Sequence, residues 1–389
     1  MSQKTSLLIE EKDLRILLMN ILQKGKQRIV APLRGYDGGD GGGDDNLKYF
    51  FREVHSQEEI AQLPLAQFDK LQTHISPKEF FFPRYAPVLK YQTISSTEVK
   101  LSDVSADAFG NVDNAGNAKE TIILGLHPCD AVGLSLLDRV FTWDYDDNFY
   151  LKPRESTTLL TFACSKIGAH CFCTGVGGAP DEQRGSDLLF SRMHVGSGDG
   201  FHISVLTPKG ERLVAEHLSH LSSVAVAPPT IAPAERSVID LLDRKESLKS
   251  MFDSSLLVQQ TYSCLGCGVC AMVCPTCHCF DIIDEDHPGS IGVGERMKIW
   301  DACSFALFSK HGGGHNPRDL QCKRCRQRYF HKLVYYPEKF SERSLCVGCG
   351  RCARACPVGL DIYSAVTSVT SATSAVSAAA IEGGTNGNR

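Results

Sequence analysis

The sequence predicts an α/β domain over residues 1–252, a cysteine-rich α+β domain over 253–363 and a low-complexity tail over 364–389. Three observations carry that prediction. Two short apolar strands, TIILGL from Thr121 and TTLLTFA from Thr157, each run into a loop, as in a parallel sheet with helical crossovers. All but four of the 17 cysteines lie beyond residue 252. There the pattern C-x2-C-x2-C-x3-C-P occurs twice, at Cys264 to Pro275 and at Cys346 to Pro357.

Each element of the first domain has its own signal. Leu14, Ile16, Leu17, Leu18, Ile21 and Leu22 predict a helix from about Ser6 to Lys24, stopping at Gly25. A strand follows over Arg28 to Leu33. GYDGGDGGGDDN, from Gly35 to Asn46, is too rich in glycine and aspartate to pack and predicts a mobile loop. It lacks the regular alternation and closing glutamate of a calcium-binding EF-hand. Leu47 to Val54 reads as a strand, and Ser56 as the cap of a short helix starting at Gln57. Ser76 to Tyr91, with three consecutive phenylalanines and three prolines, predicts core packing beside the sheet rather than a ligand pocket. TIILGL leads into HPCD and a helix over Ala131 to Phe141. TTLLTFA leads into Cys164 and a loop carrying HCFC. Both units put cysteine just past the carboxyl end of a strand, the edge at which open α/β sheets bind ligands. A strand over Phe201 to Thr207 and a helix over Ala234 to Met251 complete the domain.

The second domain is defined by its two cysteine runs. Thiolates two residues apart on a tight turn grip three corners of one cubane, and the fourth cysteine reaches the other cluster. Two full copies predict paired [4Fe–4S] clusters. One would be held by Cys264, Cys267, Cys270 and Cys356, the other by Cys346, Cys349, Cys352 and Cys274. Gly266, Gly268, Gly348 and Gly350 suit a backbone wrapped closely around an inorganic core, and Pro275 and Pro357 turn the chain away afterwards. Structural zinc is the alternative. Zinc usually draws its ligands from separated pairs, which fits two proline-closed runs of four poorly. The expected fold here is a bacterial-type dicluster ferredoxin domain with a long insert, Thr276 to Leu345. That insert holds CHCFDIIDED, GGGHNPRD and a basic helical run, Lys323 to Lys332.

Cys129, Cys164, Cys171 and Cys173 match the ligand demand of a third [4Fe–4S] cluster. Four thiolates also suit zinc, and free cysteine also packs as an inert small hydrophobe. Cys277, Cys279, Cys303, Cys322 and Cys325 stay unassigned; the Cys322/Cys325 pair is a CxxC, weak evidence by itself for a further metal site. His127, His278, His311 and His315 read as hydrogen-bond partners rather than ligands. Lys323, Arg324, Arg326, Arg328 and Lys332 read as a solvated face that would also suit docking of an acidic electron partner.

Composition narrows the function. A net charge of −4 gives no invitation to nucleic acid. No apolar run approaches the roughly 20 residues of a membrane span. The start, MSQKTSLLIEEK, turns acidic early and lacks the apolar centre of a signal peptide. An odd, high cysteine count then argues for metal ligation in a reducing, cytoplasmic setting rather than for disulfides. GVGGAP and GVGERM miss the third glycine of a dinucleotide fingerprint, and HGGGHN lacks the lysine and hydroxyl of a P-loop. The chain is therefore not expected to carry its own flavin or nicotinamide site, and no catalytic acid–base or nucleophile constellation stands out.

LGLHPCDAVGLSLLDRVF, CFC, CxxCxxCxxxCPTCHCFD, GGHNPR and CVGCGRCARACP, in that order, resemble one family. It is the iron–sulfur family that includes a component of anaerobic sulfite reductase as well as the sulfhydrogenase beta subunit, with relatives beside heterodisulfide reductase-like flavin complexes. The resemblance runs from about Phe80 to Ile362. The glycine–aspartate loop, Cys322 with Cys325, and the Ser/Ala tail depart from it. It implies a role in anaerobic metabolism, as a non-catalytic electron-transfer component of a multi-subunit oxidoreductase complex. Such a component relays electrons between a flavoprotein that oxidises NAD(P)H and a catalytic reductase or hydrogenase partner. The alternative is a reductase with its own substrate site at the N-terminal cysteines, with Asp130 or His170 supplying protons.

Overall fold

The computed structural model describes residues 6–35, 48–104, 120–196, 198–232 and 239–371. It divides into two compact units. The first is Met1–Ile167, Pro180–Ala232 and His278–Trp300; the second is Gly168–Ala179, Pro233–Cys277 and Asp301–Arg389. Apart from Gly35, the glycine–aspartate loop lies outside the described residues.

The first unit holds all the described strands: β1 (Ser6–Glu10), β2 (Arg28–Arg34), β3 (Tyr49–Glu53), β4 (Tyr85–Ser95), β5 (Glu98–Asp103), β6 (Thr121–Leu126), β7 (Thr157–Phe162), β8 (Leu188–Val195), β9 (Gly198–Val205), β10 (Phe280–His287) and β11 (Ser290–Trp300). Seven form a mixed sheet in the order β1-β9-β8-β7-β6-β2-β3. The pairs β2/β6, β6/β7 and β7/β8 are parallel. Its central strands are apolar on both faces because both are covered. Ile122, Leu124, Leu160 and Phe162 face one core, and Ile123 and Leu159 face another with Phe81, Phe82, Leu134 and Leu137. The triple-phenylalanine segment thus packs in the core, as its composition suggested. A register shift between Leu124 and Leu126, with Gly125 at φ 80°, puts Leu126 into the second core. That bulge sits just ahead of the HPCD segment.

The remaining four strands form an antiparallel sheet, β10-β11-β4-β5. Its hairpin β10/β11 comes from the insert between the cysteine runs, and β11 pairs with β4 in a register that sets Glu295 opposite Lys90.

Two sequence expectations change here. Ser6–Glu10 is a strand, not the first turn and a half of the helix, which runs Glu11–Lys24 and ends at Gly25 with φ 64°. Leu7 and Ile9 alternate with more exposed neighbours and pair with Ile203 and Phe201, a two-residue period that the stronger helical period of Leu14, Leu17, Leu18 and Ile21 obscures. Within Ala234 to Met251 the described helix is only Lys245–Ser250.

The second unit is helical among its described residues. It contains the helices Ser255–Thr261, Val269–Met272, Gln321–Phe330, Tyr336–Phe340 and Arg351–Arg354 and a π-turn, His331–Tyr335, and its core includes Leu248, Leu257, Tyr329, Phe330, Val334 and Ile362. Residues 362–371 are helical, with Ala365, Val366 and Val369 buried in this core. The tail expected from Ser364 onward is therefore ordered at its start; its low-complexity composition hid an apolar stripe at helical spacing. The CFC segment belongs to this unit rather than to the α/β one. Phe172 is buried in its core, its N–H donates to Gly348 O (2.7 Å), and Leu241 N–H donates to Gly175 O (2.8 Å).

Candidate metal centre

The two cysteine runs share one local build. Gly266 (φ 69°) and Gly268 (φ 77°) precede the short helix Val269–Met272; Gly348 (φ 63°) and Gly350 (φ 69°) precede Arg351–Arg354. Each left-handed residue would cost another amino acid about 1–2 kcal/mol. The turn aims backbone amides at sulfur, with Gly266 N–H bonded to the Cys264 sulfur and Gly348 N–H to that of Cys346. Cβ atoms would also not fit. One on Gly348 would stand 2.5 Å from the backbone of Phe172 and Cys173, and one on Gly350 would stand 2.5 Å from His170 O.

Cys264, Cys267, Cys270 and Cys356 line one cavity of about 50 Å³, together with Cys325 and Cys352. Cys356, the last cysteine of the second run, thus stands with the first run. Reciprocally, Cys274 acts electrostatically on Cys346 and Cys349, as does Cys352. Among the described residues no three His, Cys, Asp or Glu side chains converge as a single-ion site.

The electrostatics test whether a cluster fits. Burial pushes Cys270 up to about 11 and Cys346 up to about 12, and neighbouring thiols push the same way. Such thiols ionise only against positive charge, and a coordinating metal supplies it. Positive charge also comes from the protein. Lys332 is 3% exposed, with Nζ 2.7 Å from Thr276 Oγ1 and 3.4 Å from Cys274 Sγ. Arg328 is 6% exposed and donates to Cys277 Sγ at 3.1 Å. Burial works against both charges, and the surrounding sulfurs outweigh it, holding both cations above their ordinary range. A cubane on four thiolates carries net negative charge, so buried cations set against sulfur fit it.

Two cysteines left unassigned by the sequence stand beside the runs. The Cys325 thiol donates to Cys264 and, with Gly266 N–H and the Gln321 amide (3.3 Å), holds Cys264 down to about 5. Cys277 donates likewise to Cys274 and lowers it. The basic run is not the solvated face expected of it. Arg324, Arg328 and Lys332 are buried, while Lys323 and Arg326 are half-buried on Asp319 and Asp253. The missed signal was spacing, since 324, 328 and 332 fall four apart with Cys325 among them.

Cys129 and Cys164 stand in the first unit, Cys171 and Cys173 in the second. Cys164 follows β7, and its Sγ lies 2.9 Å from His127 Nδ1; His127 Nε2 lies 3.0 Å from Leu71 O. A carbonyl only accepts, so Nε2 carries hydrogen, and in the neutral ring Nδ1 accepts from the thiol. Asp130 is buried and takes the His127 backbone N–H at 3.2 Å. Cys171 Sγ lies 3.5 Å from Cys349 O.

A family model described as a 4Fe-4S dicluster domain matches residues 263–360, so cluster binding belongs to the region that holds both runs. Sulfhydrogenase 2 subunit beta of Pyrococcus furiosus is 28% identical to this chain over 324 residues, covering 81% of this chain and 87% of the relative. The similarity agrees with the resemblance carried by the motifs. No described helix is long and apolar enough to cross a membrane.

Proposed function

From its 4Fe-4S dicluster domain and its likeness to a sulfhydrogenase beta subunit, we propose that this chain is an iron–sulfur electron-transfer subunit of a sulfhydrogenase-like complex. Two [4Fe–4S] clusters would be held by Cys264, Cys267, Cys270 and Cys356, and by Cys346, Cys349, Cys352 and Cys274. What supports this reading is that Cys356 lines the cavity of the first run and Cys274 acts on Cys346 and Cys349 of the second, with Lys332 and Arg328 set against nearby sulfurs. When bound, the clusters supply one-electron chemistry. The protein's part is burial, amide and thiol hydrogen bonds to sulfur, and fixed charge. The partners proposed are a flavoprotein that oxidises NAD(P)H and a catalytic oxidoreductase subunit. A third cluster on Cys129, Cys164, Cys171 and Cys173 is proposed from sequence alone. The test is metal and sulfide analysis with paramagnetic resonance on anaerobically purified full-length protein. Mostly zinc, or fewer than about four irons after reconstitution, would sink the proposal.

The His127–Cys164 pair favours a second reading, a reductase with its own thiol site at the carboxyl edge of β7. The same geometry serves ligation, because an imidazolium would donate to a metal-bound thiolate. Turnover of sulfur substrates by the isolated chain with a reduced dye, abolished in Cys164→Ala with the paired clusters intact, would select the reductase.

A further inference from the structure

One stripe along a single helix serves both thiol sets, and its two ends differ in the charge of the group that contacts sulfur. Gln321, Cys325, Arg328 and Lys332 are spaced four, three and four apart, which keeps them on one face from Gln321–Phe330 into the π-turn His331–Tyr335. At the first end the groups that donate to sulfur are neutral, the Gln321 amide, 3.3 Å from Cys264 Sγ, and the Cys325 thiol; the Arg324 guanidinium bonds to Gln321 Oε1 and acts on Cys264 from behind that amide. Arg328 stands between the sets, acting on Cys270 of one and on Cys274 and Cys352 of the other. At the far end Lys332 contacts Cys274 at 3.4 Å and acts on Cys346, both of the second set. The π-turn that carries Lys332 is a rare helical form found frequently at functional sites.

We propose that this stripe orders the two clusters in potential, with Lys332 holding the cluster of Cys274, Cys346, Cys349 and Cys352 as the more oxidising one. The inference rests on the cluster assignment above. Reduction adds negative charge to a cluster, and a fixed cation in contact with one of its ligands favours the reduced form. Burial opposes this, because a dry site disfavours added charge, but the same low dielectric strengthens the contact with Lys332. At the first set the direct donors to sulfur are a neutral amide and a thiol, and the Arg324 charge stands one hydrogen bond further back, on Gln321. An electron arriving at the first set therefore settles on the second.

The experiment is a redox titration of the full chain, anaerobically reconstituted and followed by paramagnetic resonance, with signals assigned through Cys264→Ser and Cys346→Ser. The second-set cluster is expected at the higher potential. Lys332→Met should lower that potential alone and shift the electron partition at least tenfold, which is 59 mV for a one-electron couple. Lys332→Arg should restore it. Gln321→Glu, which can keep the Arg324 hydrogen bonds but loses the amide donor to Cys264, should lower the first-set potential alone. Should Lys332→Met fail to hold its cluster, the wild-type order and the Gln321→Glu shift decide. Two intact clusters whose order is reversed, or whose potentials ignore both variants, would overturn the inference. A chain without iron–sulfur signals would overturn the function itself.

Discussion

Gly348 and Gly25 separate two costs that a left-handed glycine can hide. Both have φ near 65°, but nothing lies within 4 Å of a Cβ on Gly25, whereas one on Gly348 would meet backbone atoms at 2.5 Å. Gly25→Ala should therefore lose only the conformational strain, about 1–2 kcal/mol. Gly348→Ala must also push the CFC segment off the second run, and about 3 kcal/mol or more is expected from combined strain and overpacking. Denaturant unfolding measures both losses, and iron analysis should show a deficit only in Gly348→Ala. A Gly348→Ala protein with full iron and wild-type stability would mean that this packing is not required. The glycines were legible from the motif, because alternate glycines between closely spaced thiols have few other uses. What they pack against was not, since residues 168–173 are remote in sequence and carry no signal of that contact.

At the scale of elements, legibility followed how far a signal depends on its neighbours. The buried strands β6 and β7 and the Ser56 cap were readable because the deciding residues are local; Ser56 Oγ accepts from Glu59 N–H, and the Glu59 carboxylate returns to Ser56 N–H. The hairpin β10/β11 was not readable. β10 is mostly exposed and half of its residues are acidic, and the hairpin's sheet depends on β4, about 200 residues away in sequence. The helix Gln321–Phe330 was readable as a helix but not for its role, because a run of arginines and lysines usually marks solvent. Its burial makes Cys325 a test of which thiols are ligands. Cys325 lines the same cavity as Cys264, Cys267, Cys270 and Cys356. As a donor rather than a ligand, Cys325→Ala should keep the full iron content and move the resonance of the first-set cluster. Cys264→Ala should lose iron. Iron lost equally in both variants would make Cys325 a ligand.

For the whole molecule, the chain passes repeatedly between its two units, so no single cut isolates either one. Metal content therefore has to be measured on the full chain. The crossed ligand sets predict that Cys274→Ser perturbs the same paramagnetic signal as Cys346→Ser, and a different one from Cys264→Ser. A signal shared by Cys274→Ser and Cys264→Ser instead would return each run to its own cluster. Stoichiometry carries the last prediction. The paired runs account for about eight irons, and a third cluster brings the total to about twelve. Cys129 and Cys164 are the informative positions, because they lie in the unit that contains neither run. Cys171 is a poorer probe, since its sulfur is 3.5 Å from the Cys349 carbonyl and a change there would reach the second run. Full-length wild type is expected to hold about twelve irons, and Cys129→Ala and Cys164→Ala about eight, with the signals of the paired clusters unmoved. About eight irons in all three proteins would remove the third cluster. It would leave Cys164 as a thiol facing His127 and move the weight to the reductase reading of that pair.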